Sequence, residues 1–242
     1  MTTYHLVIAS GPEDLARQTA EQLASSIDLV LAERDRAHIA LAGGGTPREA
    51  YGRLGEEHLP WDRVDVLLGD ERWVDPEDPS SNARMLRESL LAKGPGRQAS
   101  FHPVPTHLAT PSLGADSYGA LLVQLCGGEP PCLDVVLLGL GEDGHTASLF
   151  PDTVAPTVRD RWVTIGEGKG LPRITLTAPT LSAARKVIFL VSGANKRQAL
   201  ERLLDVHEPQ ERTPARLVQP RDEVLILADT EAAAGLPTRV LA

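Results

Sequence analysis

The chain is short of the features that mark several large classes of protein. Only two of its 242 residues are cysteine, Cys126 and Cys132. Two thiols make no disulfide framework, and they lack the spacing and partners of a zinc site, so reduced thiols in a cytoplasmic protein are expected. Aromatic residues make up 4% of the sequence, which leaves the core to Leu, Val, Ile and Ala. No apolar stretch reaches the roughly 20 residues that span a bilayer. The opening MTTYHLVIASGPEDLA has no basic region ahead of an apolar one, so a signal peptide is not expected either. Basic residues are outnumbered, and the formal net charge is −9. That balance argues against nucleic acid as a partner. Any anionic ligand then needs positive charge gathered locally.

What is present is an alternation. Short Leu-rich and β-branched runs predict strands at His5–Ala9, Ala37–Ala42, Val64–Leu68, Leu133–Leu138, Trp162–Ile165, Lys186–Val191 and Val224–Leu227. Helical spacing predicts helices at Glu13–Glu33, Pro47–Leu54, Asn82–Leu91, Ala115–Leu125, Asn195–Leu204 and Thr213–Leu217. Strands that alternate with helices and read as continuous apolar runs imply a mostly parallel sheet flanked by helices on both faces. The length suits a single α/β domain over residues 1–242. The Pro- and Gly-rich stretch Lys93–Pro111 is taken as a connection within it. The loop-rich region Pro151–Pro172 is expected to lie over the sheet edge or the site.

Four predicted strands run directly into glycine and polar residues: Gly43-Gly44-Gly45-Thr46-Pro47, Gly69-Asp70-Glu71-Arg72, Gly139-Leu140-Gly141-Glu142-Asp143-Gly144-His145 and Ser192-Gly193-Ala194-Asn195-Lys196. Ligands of open α/β sheets bind outside the carboxyl ends of the strands, so the four segments point to one site. In the first, three glycines let the backbone approach an anion, Thr46 suits an N-cap and Pro47 the first helical turn. A tight turn needs only one glycine, and the terminal Gly-Lys-Ser/Thr of a Walker A loop is missing. Arg72, after a glycine at a strand end, reads as an anion clamp rather than a surface charge. Asp70 is placed either to hold a sugar hydroxyl or to position His145. Lys196 opens a helix and is equally readable as a surface lysine.

Gly139–Gly144 matches G-x-G-x-x-G letter by letter. A dinucleotide fold carries that fingerprint after its first strand, whereas here it lies mid-chain with acidic residues inside it, so no nucleotide cofactor is expected. His145, at a strand end just before a short helix expected over Thr146–Phe150, is the candidate acid–base residue, because an imidazole both takes and gives a proton near neutral pH. Asp70, Glu142 and Asp143 are the carboxylates available to orient its ring. No second His or Cys lies near enough in the sequence to complete a metal site, so no metal is expected. There is no G-x-S-x-G, which argues against a serine nucleophile of the α/β-hydrolase type. Water activated by His145 is the simpler route.

The run Gly139-Leu140-Gly141-Glu142-Asp143-Gly144-His145-Thr146-Ala147-Ser148-Leu149-Phe150-Pro151 resembles the 6-phosphogluconolactonase family. So do Asp70-Glu71-Arg72-Trp73, Ser81-Asn82, Arg173-Ile174-Thr175 and Ser192–Lys196, in the family's order and over nearly the whole chain. The resemblance implies a Rossmann-like fold and hydrolysis of a sugar-phosphate lactone in the pentose phosphate pathway, without metal or nucleotide. It implies that His145 activates water, with Asp70 and Asp143 beside it as catalytic candidates. It implies that Arg72, Lys196 and Arg173 bind the substrate, with Asn82 and with Gly44, Gly45 and Thr46 adding donors. Backbone N–H groups around Gly44 or Gly141 are the candidates for holding the oxyanion. The expected partner is the small-molecule lactone, with neither nucleic acid nor membrane, and a monomer is favoured. The competing readings are a sugar-phosphate isomerase or deaminase of the related fold, such as a glucosamine-6-phosphate deaminase, and a non-catalytic sugar-phosphate sensor. Deaminases follow the histidine with a segment containing Asn-Glu-Pro, where this chain has Thr146–Pro151.

Overall fold

Every residue of strands β2 (Ala37–Leu41) and β3 (Val64–Leu68) is buried. A strand that is apolar on both sides has to be covered on both sides, and these two lie inside a sheet rather than at its edge. A computed structural model, describing residues 2–236, gives their surroundings. Seven strands form a parallel sheet in the order β1 (Tyr4–Ala9), β10 (Val224–Asp229), β9 (Lys186–Val191), β6 (Val135–Gly139), β2, β3 and β5 (Ser100–Phe101). The chain moves outward from β2 through β3 to β5. It then returns to the other side of β2 at β6 and continues through β9 to β10, which lies beside β1, the edge strand at which the chain began. The order therefore reverses between β2 and β6, and loops leaving their carboxyl ends diverge and open a crevice.

Helix α1 (Pro12–Glu33) buries Leu15, Thr19, Leu23, Ile27 and Leu31, a repeat of four that puts one stripe on the sheet. Pro12 stands at its first turn, where a missing N–H leaves no gap in the ladder. Helix α2 (Gly45–Leu54) follows β2, and α4 (Pro111–Cys126) carries Tyr118, whose hydroxyl bonds the backbone of Leu68 in β3. Helix α3 (Asn82–Glu88) is capped by the Ser81 hydroxyl, which accepts from Arg84 N at 3.1 Å. The chain also carries α5 (Ala178–Ser182), α6 (Arg197–Leu204) and α7 (Thr230–Ala233).

The structure departs from the sequence expectations in definite places. A second, antiparallel sheet of β4 (Asp70–Arg72), β8 (Leu171–Leu176) and β7 (Val163–Gly168) stands beside the parallel one. Its strand β7 extends the expected strand Trp162–Ile165 to Gly168 and belongs to this second sheet, while β8 begins at Leu171 inside the stretch Pro151–Pro172 that otherwise reads as loop. Lys93–Pro111 contains β5, which pairs with β3 in the main sheet. The short helix expected over Thr146–Phe150 is absent: Thr146 and Leu149 form an isolated bridge, and Ala147 has φ 48°. Thr213–Leu217 holds a single 3-10 turn, Pro214–Leu217. Thr46 is not the N-cap of α2, because the helix starts at Gly45, two residues before the expected Pro47, and Gly44 takes the capping position.

Candidate active site

A cavity of about 270 Å³ opens at the crevice between the ends of β2 and β6. Gly44, Gly45, Thr46, Asp70, Arg72, Asn82, His145, Arg173 and Lys196 all line it. Of the three carboxylates considered for orienting His145, Asp70 lines the cavity and Glu142 and Asp143 do not. The four strand-end segments therefore do meet. Phe150 and Lys169, which the sequence reading did not single out, line the same cavity.

The loop after β6 holds His145. It is tied across its neck, since Gly141 N donates to the carbonyl of His145 at 2.8 Å. The Nδ1 of His145 lies 2.5 Å from Oδ1 of Asp143, which also accepts the His145 backbone N–H at 3.1 Å. A carboxylate only accepts, so the neutral ring carries its proton on Nδ1 and leaves the Nε2 lone pair free. Burial alone raises the Asp143 pKa. The hydrogen bonds from His145 outweigh it and hold the carboxyl at about 2. The imidazole is mostly shielded, and its centroid is 4.1 Å from that of Phe150. Gly141 is obligatory here, because a Cβ at that position falls onto Nδ1 of His145 and the carboxylate of Asp143. Glu142 points away, accepting from Asn195 Nδ2 at 2.6 Å, while its carbonyl accepts from Arg202 at 2.9 Å. These contacts fasten the loop to α6 and its preceding turn.

The loop after β2 brings Gly43, Gly44 and Gly45 to the cavity. Gly43 leaves room for the side chain of Asn82, which a Cβ there would overlap. Asn82 Nδ2 donates to the Asp70 carbonyl at 2.8 Å, while its buried Oδ1 has no partner among the described residues. An orphaned buried acceptor on a cavity wall is suited to a ligand hydroxyl. The N–H of Gly141 itself is committed to the His145 carbonyl, whereas Gly44 caps α2, whose first-turn N–H groups have no partner within the helix.

The second sheet supplies the rest. Strand β4 leaves β3 after Gly69 and pairs with β8, setting Arg72 opposite Arg173 and Asp70 opposite Thr175. Glu71 anchors this strand to α3. Its buried carboxylate accepts the backbone N–H of Arg72, Asn82 and Ala83 at 2.7–2.8 Å, while burial lifts its pKa above the usual range. Asp70 is bonded to the Ser148 hydroxyl and lies 3.6 Å from Arg173. Its carboxylate makes no bond to His145 among the described residues, so only Asp143 of the three carboxylates orients the ring. Arg173 is 6% exposed, donates to the Gly168 carbonyl at 3.2 Å and lies 5.4 Å from the Phe150 centroid. Arg72 donates to the Ser80 carbonyl and keeps a buried Nε without a partner among the described residues. Burial lowers the Lys196 pKa, with Glu142 opposing and Lys169 adding to the drop. An acidic chain has thus collected four cations, Arg72, Lys169, Arg173 and Lys196, on one cavity.

Among the described residues no group of three or more His, Cys, Asp or Glu is arranged to hold a metal ion, and no helix is long and apolar enough to cross a membrane. The G-x-G-x-x-G stretch opens no helix: it ends β6 and turns into the His145 loop.

The chain is similar to known proteins over most of its length. A family model described as glucosamine-6-phosphate isomerases/6-phosphogluconolactonase matches residues 10–227. A 6-phosphogluconolactonase of Nostoc is 44% identical over 234 residues, covering 93% of this chain and 97% of its own. One of Synechocystis is 43% identical over 213 residues, covering 87% and 89%. The solved structure of a 6-phosphogluconolactonase from Trypanosoma brucei superimposes with a TM-score of 0.87 at 31% identity, over 98% of this chain and 100% of that one. A monomeric glucosamine-6-phosphate deaminase, 22% identical with a TM-score of 0.79, shares the fold.

Proposed function

The chain belongs to the 6-phosphogluconolactonase family, and we propose that it opens 6-phospho-D-glucono-1,5-lactone by the attack of a water that His145 activates. It is a lactone hydrolase of the pentose phosphate pathway, and its product is 6-phosphogluconate. The observation that carries the mechanism is the 2.5 Å contact between Asp143 and His145 at the wall of a cation-lined cavity.

The steps follow from the chemistry of the groups. Nε2 of His145 takes a proton from water as its oxygen bonds to C1 of the lactone. The carbonyl electrons move onto oxygen, and the Asp143 carboxylate offsets the charge of the imidazolium. Free N–H groups around Gly44 face the charge that appears. When the carbonyl re-forms, the bond from C1 to the ring oxygen breaks, and the imidazolium returns its proton to that oxygen. No covalent enzyme intermediate is needed. Arg72 and Lys196 hold the phosphate, while Asp70, Asn82 and Thr46 offer partners to sugar hydroxyls. Arg173 is already paired with Asp70, so it acts mainly by fixing that carboxylate. Attack from the site is thereby confined to one orientation of the ring.

The test is hydrolysis of freshly made 6-phosphogluconolactone, read above its spontaneous opening. The expected result is a catalysed rate that saturates with substrate. Release of ammonia from glucosamine 6-phosphate without lactone hydrolysis would assign the chain to the deaminase branch instead. Binding without either reaction would make it a sensor.

A further inference from the structure

Strands β7 and β8 are joined by a two-residue turn, Lys169-Gly170, between paired Gly168 and Leu171. Both turn residues have positive φ, 55° and 77°, the handedness of a tight hairpin turn. Glycine and asparagine are the usual occupants, and a lysine there is held at a cost of roughly 1 kcal/mol. The turn is well fixed. Arg173 Nε donates to the Gly168 carbonyl at 3.2 Å, and Gly168 lies so close against the Phe150 ring that a Cβ would overlap it. Phe150 in turn packs on His145, with 4.1 Å between ring centroids.

This turn delivers Lys169 to the cavity that Arg72 and Lys196 also line. Arg173 pairs with Asp70, His145 with Asp143 and Arg197 with Glu231, and neither Lys169 nor Lys196 takes part in an ion pair among the described residues. Lys169 acts on Lys196 as a like charge, with Glu142 opposing it, and an anion bound by both ammonium groups relieves their repulsion. The backbone strain at Lys169 and the like charge of its neighbour are both unfavourable to the empty site, and both are offset by a bound dianion.

We propose that Lys169 is a substrate-binding residue: its ammonium, carried on the β7–β8 turn, joins Arg72 of the same antiparallel sheet and Lys196, beyond the end of β9, on the phosphate. This rests on the lactonase reading for the identity of the ligand, but not for the presence of an anion site. The phosphate is then gripped between the two sheets. The same turn, through Phe150, bears on the ring of the catalytic histidine.

The experiment compares wild type with Lys169→Gly, which keeps the turn's backbone free of strain, Lys169→Arg, which keeps the charge, and Lys93→Ala, which removes a lysine from a separate surface depression. Calorimetry gives Kd for 6-phosphogluconate and for inorganic phosphate, and steady-state kinetics give KM and kcat for 6-phosphogluconolactone and for unphosphorylated glucono-1,5-lactone. For Lys169→Gly, Kd and KM for the phosphorylated compounds rise about tenfold, equivalent to about 1.4 kcal/mol. The fall in kcat/KM with the unphosphorylated lactone is less than a third as large. Lys169→Arg recovers most of the affinity, and Lys93→Ala shows less than a twofold change. Unaltered binding of both anions by Lys169→Gly overturns the proposal, as does an equal loss with both lactones. If wild type hydrolyses neither lactone but Lys169→Gly still loses phosphate binding, the lactonase reading fails and the anion site stands.

Discussion

The carboxylate of Asp143 accepts the Nδ1 proton of His145 across 2.5 Å, from two residues earlier in the same loop. The orienting carboxylate and the base are carried on one short segment, and the tie between Gly141 N and the His145 carbonyl fixes its shape. The ring tautomer is thus set locally, while the cations of the cavity arrive from three other segments: β4, the β7–β8 hairpin and the turn before α6.

Replacing Asp143 by Asn removes the acceptor that keeps the proton on Nδ1. A carboxamide can present its own N–H to the ring and favour the wrong tautomer. We expect kcat for 6-phosphogluconolactone to fall by about 10²-fold or more, with Kd for 6-phosphogluconate within threefold of wild type. Steady-state kinetics and calorimetry check the two halves. A loss confined to KM would remove Asp143 from this role.

The same pair makes a prediction about acid. The Asp143 pKa lies at about 2, below its ordinary 3.8. A depressed carboxylate contributes stability above its unfolded pKa and loses it as pH falls through its folded one. The difference in thermal midpoint between wild type and Asp143→Asn should therefore be level from pH 7 to about pH 5 and shrink as the pH falls from about 4 to about 2. Asp143 is about half exposed, so the gap is small, about 2 °C. A gap that widens on acidification contradicts the assignment.

Gly141→Ala puts a methyl group where Nδ1 of His145 and the Asp143 carboxylate lie. The loop is partly exposed and has room to shift, so the chain should fold, with unaltered circular dichroism. The displaced ring costs about 10²-fold in kcat. Wild-type turnover in this variant would show that the observed ring position is not needed.

Arg72→Ala should raise KM for 6-phosphogluconolactone by tenfold or more, and that for unphosphorylated glucono-1,5-lactone much less. The measurement is the ratio of kcat/KM for the two lactones. Equal losses would mean that Arg72 does not grip the phosphate.

Much of this site was legible before folding was considered, for a physical reason. Strands buried on both faces are mostly apolar runs, interrupted here only by His38 in β2 and Asp65 in β3, and a glycine at the end of such a run marks a turn that something approaches closely. The ends of β2, β3, β6 and β9 announce themselves in that way. Strand β4 does not, because Asp70-Glu71-Arg72 is wholly charged and is made a strand only by pairing with β8, a hundred residues later. Thr146–Phe150 follows a turn and is largely apolar, so it reads as a helix start; its backbone instead bends at Ala147 to place Ser148 on Asp70 and Phe150 on His145. Lys169 lies in a stretch whose prolines and glycines suggest loop. The available signal was Lys169-Gly170, a turn pair between two short alternating runs. The choice among Asp70, Glu142 and Asp143 needed coordinates, since all three lie near the site and only the direction of each side chain separates them.

The most direct test of the account is the turnover of His145→Ala on 6-phosphogluconolactone, with spontaneous opening subtracted and 6-phosphogluconate binding measured on the same preparation. The account predicts a fall in kcat of at least about 10²-fold, with Kd for 6-phosphogluconate within threefold of wild type. Turnover equal to that of wild type would contradict it.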